Sequence, residues 1–98
     1  MNITKAKIDG VLTIKVEGRL DTATAPELSE VFDEALPGED SLILDLAKLD
    51  YVSSAGLRVI LGAHKKMMKK NGMKIVNSSE AVLEIFDITG FSDILDIG

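Results

Sequence analysis

Along residues 11 to 17 apolar and polar side chains alternate, Leu12, Ile14 and Val16 against Thr13, Lys15 and Glu17. This predicts a strand with one buried and one wet face. Residues 2 to 8 form a second β-like run, and the intervening Asp9-Gly10 favours the tight turn of a two-residue hairpin. The chain is thus expected to open with an antiparallel hairpin. After a connector over residues 18 to 23 the period lengthens: Leu28, Val31, Phe32, Ala35 and Leu36 follow helical spacing. Thr24 and Glu27 are spaced as a capping box, Pro26 falls in the first turn, and Pro37-Gly38 supplies a stop. Leu42-Ile43-Leu44-Asp45-Leu46 is the short, nearly continuous apolar run of a central strand. Leu49 and Val52 are expected to pin the loop that follows.

Residues 50 to 71 are the stretch around which the rest is arranged. Leu57, Ile60, Leu61 and Met68 mark one apolar helical face, with Arg58, Lys65, Lys66 and Lys69 opposite. Asn71-Gly72 supplies a left-handed cap, and Lys74-Ile75-Val76 reads as another strand, so a right-handed crossover and parallel pairing follow. Ser79 is placed to cap a last helix through about Asp87 that buries Val82, Leu83, Ile85 and Phe86, with Thr89-Gly90 as its stop. Phe91, Ile94, Leu95 and Ile97 then make an apolar tail with a short strand. The expected fold is an α/β sandwich: a mixed sheet of four to five strands opening with an antiparallel hairpin, with helices mainly on one face.

Composition narrows the class. The 98 residues suit a single domain, 1–98, and a 46% hydrophobic fraction with only 4% aromatic residues describes an aliphatic core. A formal charge of -5 argues against nucleic acid. Without Cys there is no disulfide or thiolate metal site, and nothing indicates a cofactor. No apolar run approaches the ~20 residues of a membrane span, and the amino terminus lacks a signal peptide's apolar stretch, so a cytoplasmic protein without direct membrane insertion is expected.

Two hydroxyls stand at the start of the central helix. Ser53 or Ser54 must cap it, which leaves the other spare in the positive field of the helix N-terminus, where a phosphate would be stabilised. Here "LDLAKLDYVSSAGLRVIL", together with "GRLDTATAPEL", resembles the STAS domain (sulphate transporter and anti-sigma factor antagonist), specifically the stand-alone anti-sigma factor antagonists. The likeness runs over nearly the whole chain, with two motifs in the right order. In that family the serine ahead of a small residue and Gly-Leu is the phosphoacceptor, which maps onto Ser54, followed by Ala55, Gly56 and Leu57. Many members carry Asp just before the acceptor; here Ser53 stands there and is the alternative acceptor.

The resemblance implies a switch and not a catalyst. Unmodified, such a protein binds an ATP-dependent serine kinase that doubles as an anti-sigma factor, freeing the sigma factor. Phosphorylation by that kinase breaks the complex until a PP2C-type phosphatase restores the hydroxyl. The implied partner surface comprises Asp21, Thr22, Ser53, Ser54, Gly56 and Arg58, with Asp21 contributing to kinase recognition. Arg58, four residues after Ser54, is spaced to meet a phosphate there. A monomer or weak dimer is expected. A rival within the same family is a STAS subunit of a membrane lipid-transport or stress-signalling assembly, where the surface docks permanently.

Other chemistries fit less well. A receiver domain with a phosphorylated Asp45 would need an acidic pair after its first strand, where this chain has a hairpin; Asp45 reads as a strand-edge residue bonding nearby backbone. A serine hydrolase fails because His64, the only histidine, lies ten residues after Ser54 on one helix, roughly 15 Å away. His64 instead reads as a core or boundary residue. Lys65, Lys66, Lys69 and Lys70 read as a solvated face opposing the negative end of the helix.

Overall fold

The computed structural model describes all of residues 1–98. Strands β1 (Asn2–Ile8) and β2 (Val11–Leu20) form the expected hairpin, closed by Asp9 and Gly10, both at positive φ (51° and 81°). Positive φ at both central residues is what a twist-matched two-residue turn requires. Helix α1 (Ala25–Ala35) runs into a 3-10 turn at Leu36–Gly38; then come β3 (Leu42–Asp45), β4 (Leu49–Val52), α2 (Ser54–Met68), β5 (Met73–Val76), α3 (Glu80–Ile88), a 3-10 turn at Phe91–Asp93, and β6 (Asp96–Ile97).

The sheet runs β1-β2-β3-β5-β6, antiparallel only at β1-β2. β2 is long enough to take two partners on one edge. Its first half pairs with β3, Leu12 opposite Leu42, and its second half with β4, Leu20 opposite Val52. β4 is therefore a sixth strand where a pinned loop was expected, and the connector begins at residue 21 instead of 18.

The reason β4 escapes a period-of-two pattern lies in its register. One step along β2, Gly18 to Arg19, corresponds to two along β4, Leu49 to Tyr51, leaving Asp50 as the extra residue of a bulge. Leu49 and Val52 can then both point inward across two consecutive exposed residues.

The core lies between sheet and helices. Ile14, Val16, Leu20, Leu44 and Ile75 meet Leu28 and Phe32 of α1, Ile60 and Met67 of α2, and Val82 and Phe86 of α3. Two local expectations are corrected. Met67 is fully buried and Met68 is 65% exposed: the inward face centres on Ile60, flanked by Gly56 and Ala63, and at about 100° per residue Met67 stays on it while Met68 turns off. Thr13 is buried and not wet, because β2 is an interior strand and Thr13 is flanked by Ala6 and Ile43 on its two neighbours.

Helix ends show which caps act. Ser79 Oγ accepts from Val82 N at 3.2 Å, as its position predicts. The Thr24–Glu27 capping box does not form, since the Thr24 hydroxyl turns back toward Arg19 and Asp21. At the other end of α1, Lys70 Nζ donates to the carbonyls of Leu36 (3.0 Å), Pro37 (3.3 Å) and Glu39 (2.7 Å). Lys70 is exposed, as expected of the lysine face, and in addition closes the C-terminal end of α1 from the neighbouring element. Lys66 Nζ reaches Asp33 Oδ1 at 2.8 Å, bridging α2 to α1. No helix is long and apolar enough to cross a membrane.

Candidate partner-binding site

The carboxyl-terminal ends of β2 and β4 bring the two motifs together. Ser53 N donates to Leu20 O at 2.8 Å, continuing the β2-β4 pairing into the first residue ahead of α2. The Asp21–Thr24 loop and the α2 N-terminus therefore leave the sheet side by side.

The two serines divide the work left open by their spacing. Ser53 has extended backbone and caps α2, its Oγ accepting from Gly56 N at 3.2 Å, and it is half-buried. Ser54 occupies the first helical position and is exposed, and none of the chain's side-chain hydrogen bonds engages its hydroxyl. A group attached there would sit in the positive field of the unpaired first-turn N–H groups.

Gly56 lies beneath this junction. It is buried, and a Cβ on it would come within 2.6 Å of Leu20 Cγ and 3.0 Å of Leu20 O. Only glycine lets α2 approach the end of β2 this closely, so Gly56 supports the surface from below and presents no side chain to a partner.

The loop after β2 is locked by its own polar groups. Asp21 Oδ1 accepts from Ala23 N (3.0 Å) and Thr24 N (3.1 Å), and Asp21 N donates to Thr24 Oγ1 at 2.8 Å. The single hydroxyl proton of Thr24 is better placed toward Arg19 O at 2.7 Å than toward Asp21 Oδ1 at 3.1 Å. Asp21 thereby caps a turn that feeds α1, one turn earlier than the expected Thr24 cap. The Thr24 N–H, above all, holds the Asp21 carboxyl below the usual carboxylate range; partial desolvation opposes this, while the Thr24 hydroxyl, the Ala23 N–H and the Arg19 charge add to it. Thr22 is exposed at the tip of this loop.

Arg58 is exposed and makes no ion pair. It stands one turn below Ser54 at the mouth of a groove between α1 and α2, floored by Phe32, Val59 and Gly62.

Two residues absent from the sequence-derived set lie beside the Asp21 loop. Arg19 lies over the Tyr51 ring, 4.4 Å from its centroid, with Nε 4.0 Å from Asp21 Oδ2. The signal was present in "GRLD", but ending β2 at residue 17 and reading β4 as loop left Arg19 and Tyr51 with no shared face.

The remaining candidates lie elsewhere. His64 is half-buried on α2, with Nδ1 buried and unpartnered, beside Leu42, Met73 and Asn71 at the opposite, amino-terminal end of the parallel strands. Asp45 Oδ1 accepts from Ala47 N at 3.0 Å, the backbone bond its strand-edge position suggested.

Comparison with known proteins places the chain in a family. The STAS domain family model matches residues 2–98. BtrV of Bordetella bronchiseptica is 37% identical, the alignment covering 99% of this chain and 85% of that one. The anti-sigma-B factor antagonist of Bacillus subtilis is 32% identical over 99% of this chain and 90% of that one. Among solved structures, an anti-sigma factor antagonist from Mycobacterium paratuberculosis superposes with a TM-score of 0.89 at 24% identity, covering 98% of this chain and 83% of that one. The anti-sigma factor antagonist SpoIIAA in its unphosphorylated form does so with 0.79 at 16% identity, covering 99% and 88%, and its phosphorylated form shares the fold at 0.74, also at 16%, covering 99% and 91%. With the family model spanning nearly every residue, and relatives above 30% identity aligned over 99% of this chain, the chain belongs to the STAS domain family, among the anti-sigma factor antagonists.

Proposed function

We propose that this protein is the phosphorylatable switch of a partner-switching circuit. Unmodified, it binds an anti-sigma factor that is also an ATP-dependent serine kinase, so that the sigma factor is freed. The kinase transfers the ATP γ-phosphoryl group to Ser54 Oγ, forming a phosphoserine and ADP, and the dianion on the contact surface ends the complex. Hydrolysis by a PP2C-type phosphatase returns the hydroxyl and releases inorganic phosphate. The chain itself is substrate and binding partner, acting in the cytoplasm without catalysis of its own.

The observation that carries this reading is the division of labour at the α2 N-terminus: Ser53 is consumed by the cap, while Ser54 stands exposed with a free hydroxyl. Ser54 is therefore the acceptor favoured over Ser53. Asp21 and Thr22, held beside it by the β2-β4 pairing, form the adjoining contact surface. A loss of ~3 kcal/mol from one newly charged interfacial group weakens binding more than a hundredfold, so no large motion is needed.

The test is to incubate the purified protein with candidate serine kinases and ATP and to locate the phosphate by mass spectrometry. Ser54→Ala should bind the kinase and resist modification, and Ser54→Asp should fail to bind. Modification elsewhere, or a Ser54→Asp protein that binds as tightly as the wild type, would remove the basis of the proposal.

A further inference from the structure

The bulge in β4 does more than interrupt a pattern. Because Asp50 is the extra residue, Tyr51 is brought opposite Arg19, and both project from the face of the sheet away from α2, while their neighbours Leu20 and Val52 are buried. Bulges re-aim side chains at the ends of strands, commonly next to functional sites. Here the result is a guanidinium lying flat on an aromatic ring at 4.4 Å.

Such stacking normally serves packing, yet this pair remains open. The Arg19 side chain is 63% exposed and its single charged neighbour, Asp21, is a long 4.0 Å away on the Nε side. Its terminal N–H groups enter no side-chain hydrogen bond within the chain. Tyr51 is 37% exposed, one of few large hydrophobic side chains left so. The plate is also rigidly joined to the switch: Arg19 O accepts from the Thr24 hydroxyl at 2.7 Å, and one residue on, Leu20 O accepts from Ser53 N at 2.8 Å.

We infer that Arg19, stacked on Tyr51, is a second docking element of the partner-binding surface, one that receives a carboxylate of the partner kinase. This rests on the partner-switching reading and names a contact within it. A planar guanidinium with free terminal N–H groups matches a carboxylate in a bidentate fork, and the ring beneath holds the fork's plane, reducing the freedom lost on binding. Asp21 lies beside the guanidinium and the whole chain carries -5, which disfavours a polyanion such as nucleic acid and leaves a single carboxylate as the matching group.

The test uses the full chain and the purified kinase that modifies it. Arg19→Ala should weaken kinase binding at least tenfold and raise the KM for the protein substrate with kcat unchanged, because the plate docks and does not touch the reacting oxygen. Arg19→Lys should lose part of this binding, Arg19→Glu more than Arg19→Ala, and Tyr51→Phe, which keeps the ring, little. An acidic-to-arginine change at the matching kinase position should restore binding to Arg19→Glu. Melting temperatures of each variant separate docking from folding. Wild-type binding with Arg19→Ala within twofold of it, or a loss that merely tracks melting temperature, overturns this inference alone. Failure of the wild type to bind or be phosphorylated by any such kinase overturns the function proposed above and this contact with it.

Discussion

Gly56 and Leu20 are in such close apposition that the distance between α2 and the end of β2 is set by the absence of one methyl group: a Cβ on Gly56 would meet the fully buried Leu20 at 2.6 Å. Gly62, six residues further along the same helix, has nothing within 4 Å of its missing Cβ. The same substitution should therefore act in opposite directions. Gly56→Ala should destabilise by about 1–3 kcal/mol through overpacking, after subtracting the better helix propensity of alanine, whereas Gly62→Ala should stabilise by up to ~1 kcal/mol. Urea denaturation of both variants checks this; equal effects would show that the Gly56 contact is relaxed at no cost.

Ser53 and Ser54 should separate stability from switching. Ser53→Ala removes the cap on Gly56 N and should cost about 1 kcal/mol, while leaving the Ser54 hydroxyl available for phosphorylation. Ser54→Ala, at an exposed site without a hydrogen bond, should change stability by less than ~0.5 kcal/mol. Thermal melts paired with a phosphorylation assay report both properties on the same samples.

Asp21 should confer a pH dependence with a definite sign. Its carboxyl titrates below the usual range in the folded chain, mainly because the Thr24 N–H binds the charged form. The stabilisation is thus fully present above the unfolded carboxylate pKa and is lost as pH falls through the lower folded value. Asp21→Asn should lower stability at neutral pH, and the gap to the wild type should narrow on acidification below about pH 4. A gap that stayed constant across that range would mean that the charge of Asp21 contributes nothing.

Lys66 and Lys70 look alike in sequence and should differ in effect. Lys70 donates to three carbonyls at the end of α1, one of them part-buried and two exposed, and a charged donor shared among three acceptors contributes about 1–2 kcal/mol. The Lys66–Asp33 pair is exposed on both sides and is expected to contribute less than ~1 kcal/mol. Lys70→Met should accordingly lower the denaturation midpoint more than Lys66→Met, and added salt should narrow the Lys66 effect more.

Arg58 should matter to stability only after modification. With no ion pair in the unmodified chain, Arg58→Ala should alter its stability by less than ~0.5 kcal/mol. Once Ser54 carries a phosphate four residues away, loss of the arginine should lower stability by about 0.5 kcal/mol or more. Comparing melts of both forms of both proteins is sufficient, and an unchanged phosphorylated form would show that phosphate and guanidinium do not meet.

What the amino-acid order settled alone was whatever is encoded over a few residues: the hairpin through Asp9-Gly10, the faces of α1 and α3, the Ser79 cap, and a hydroxyl pair at the start of α2. These depend on periodicity and on side chains bonding their own backbone, so neighbours in sequence suffice. Tertiary structure decided whatever depends on a distant strand or helix. The β4 bulge hides a strand by breaking its alternation, and only pairing with β2 shows that Arg19 and Tyr51 face each other. The choice between Ser53 and Ser54 likewise waited on the Leu20–Ser53 bond that sets the helix start, and the work of Lys70 on carbonyls more than thirty residues away. Hydrogen bonds and close packing between segments far apart in the chain leave no local period, and for that reason the surface beside Ser54 became visible only in the folded protein.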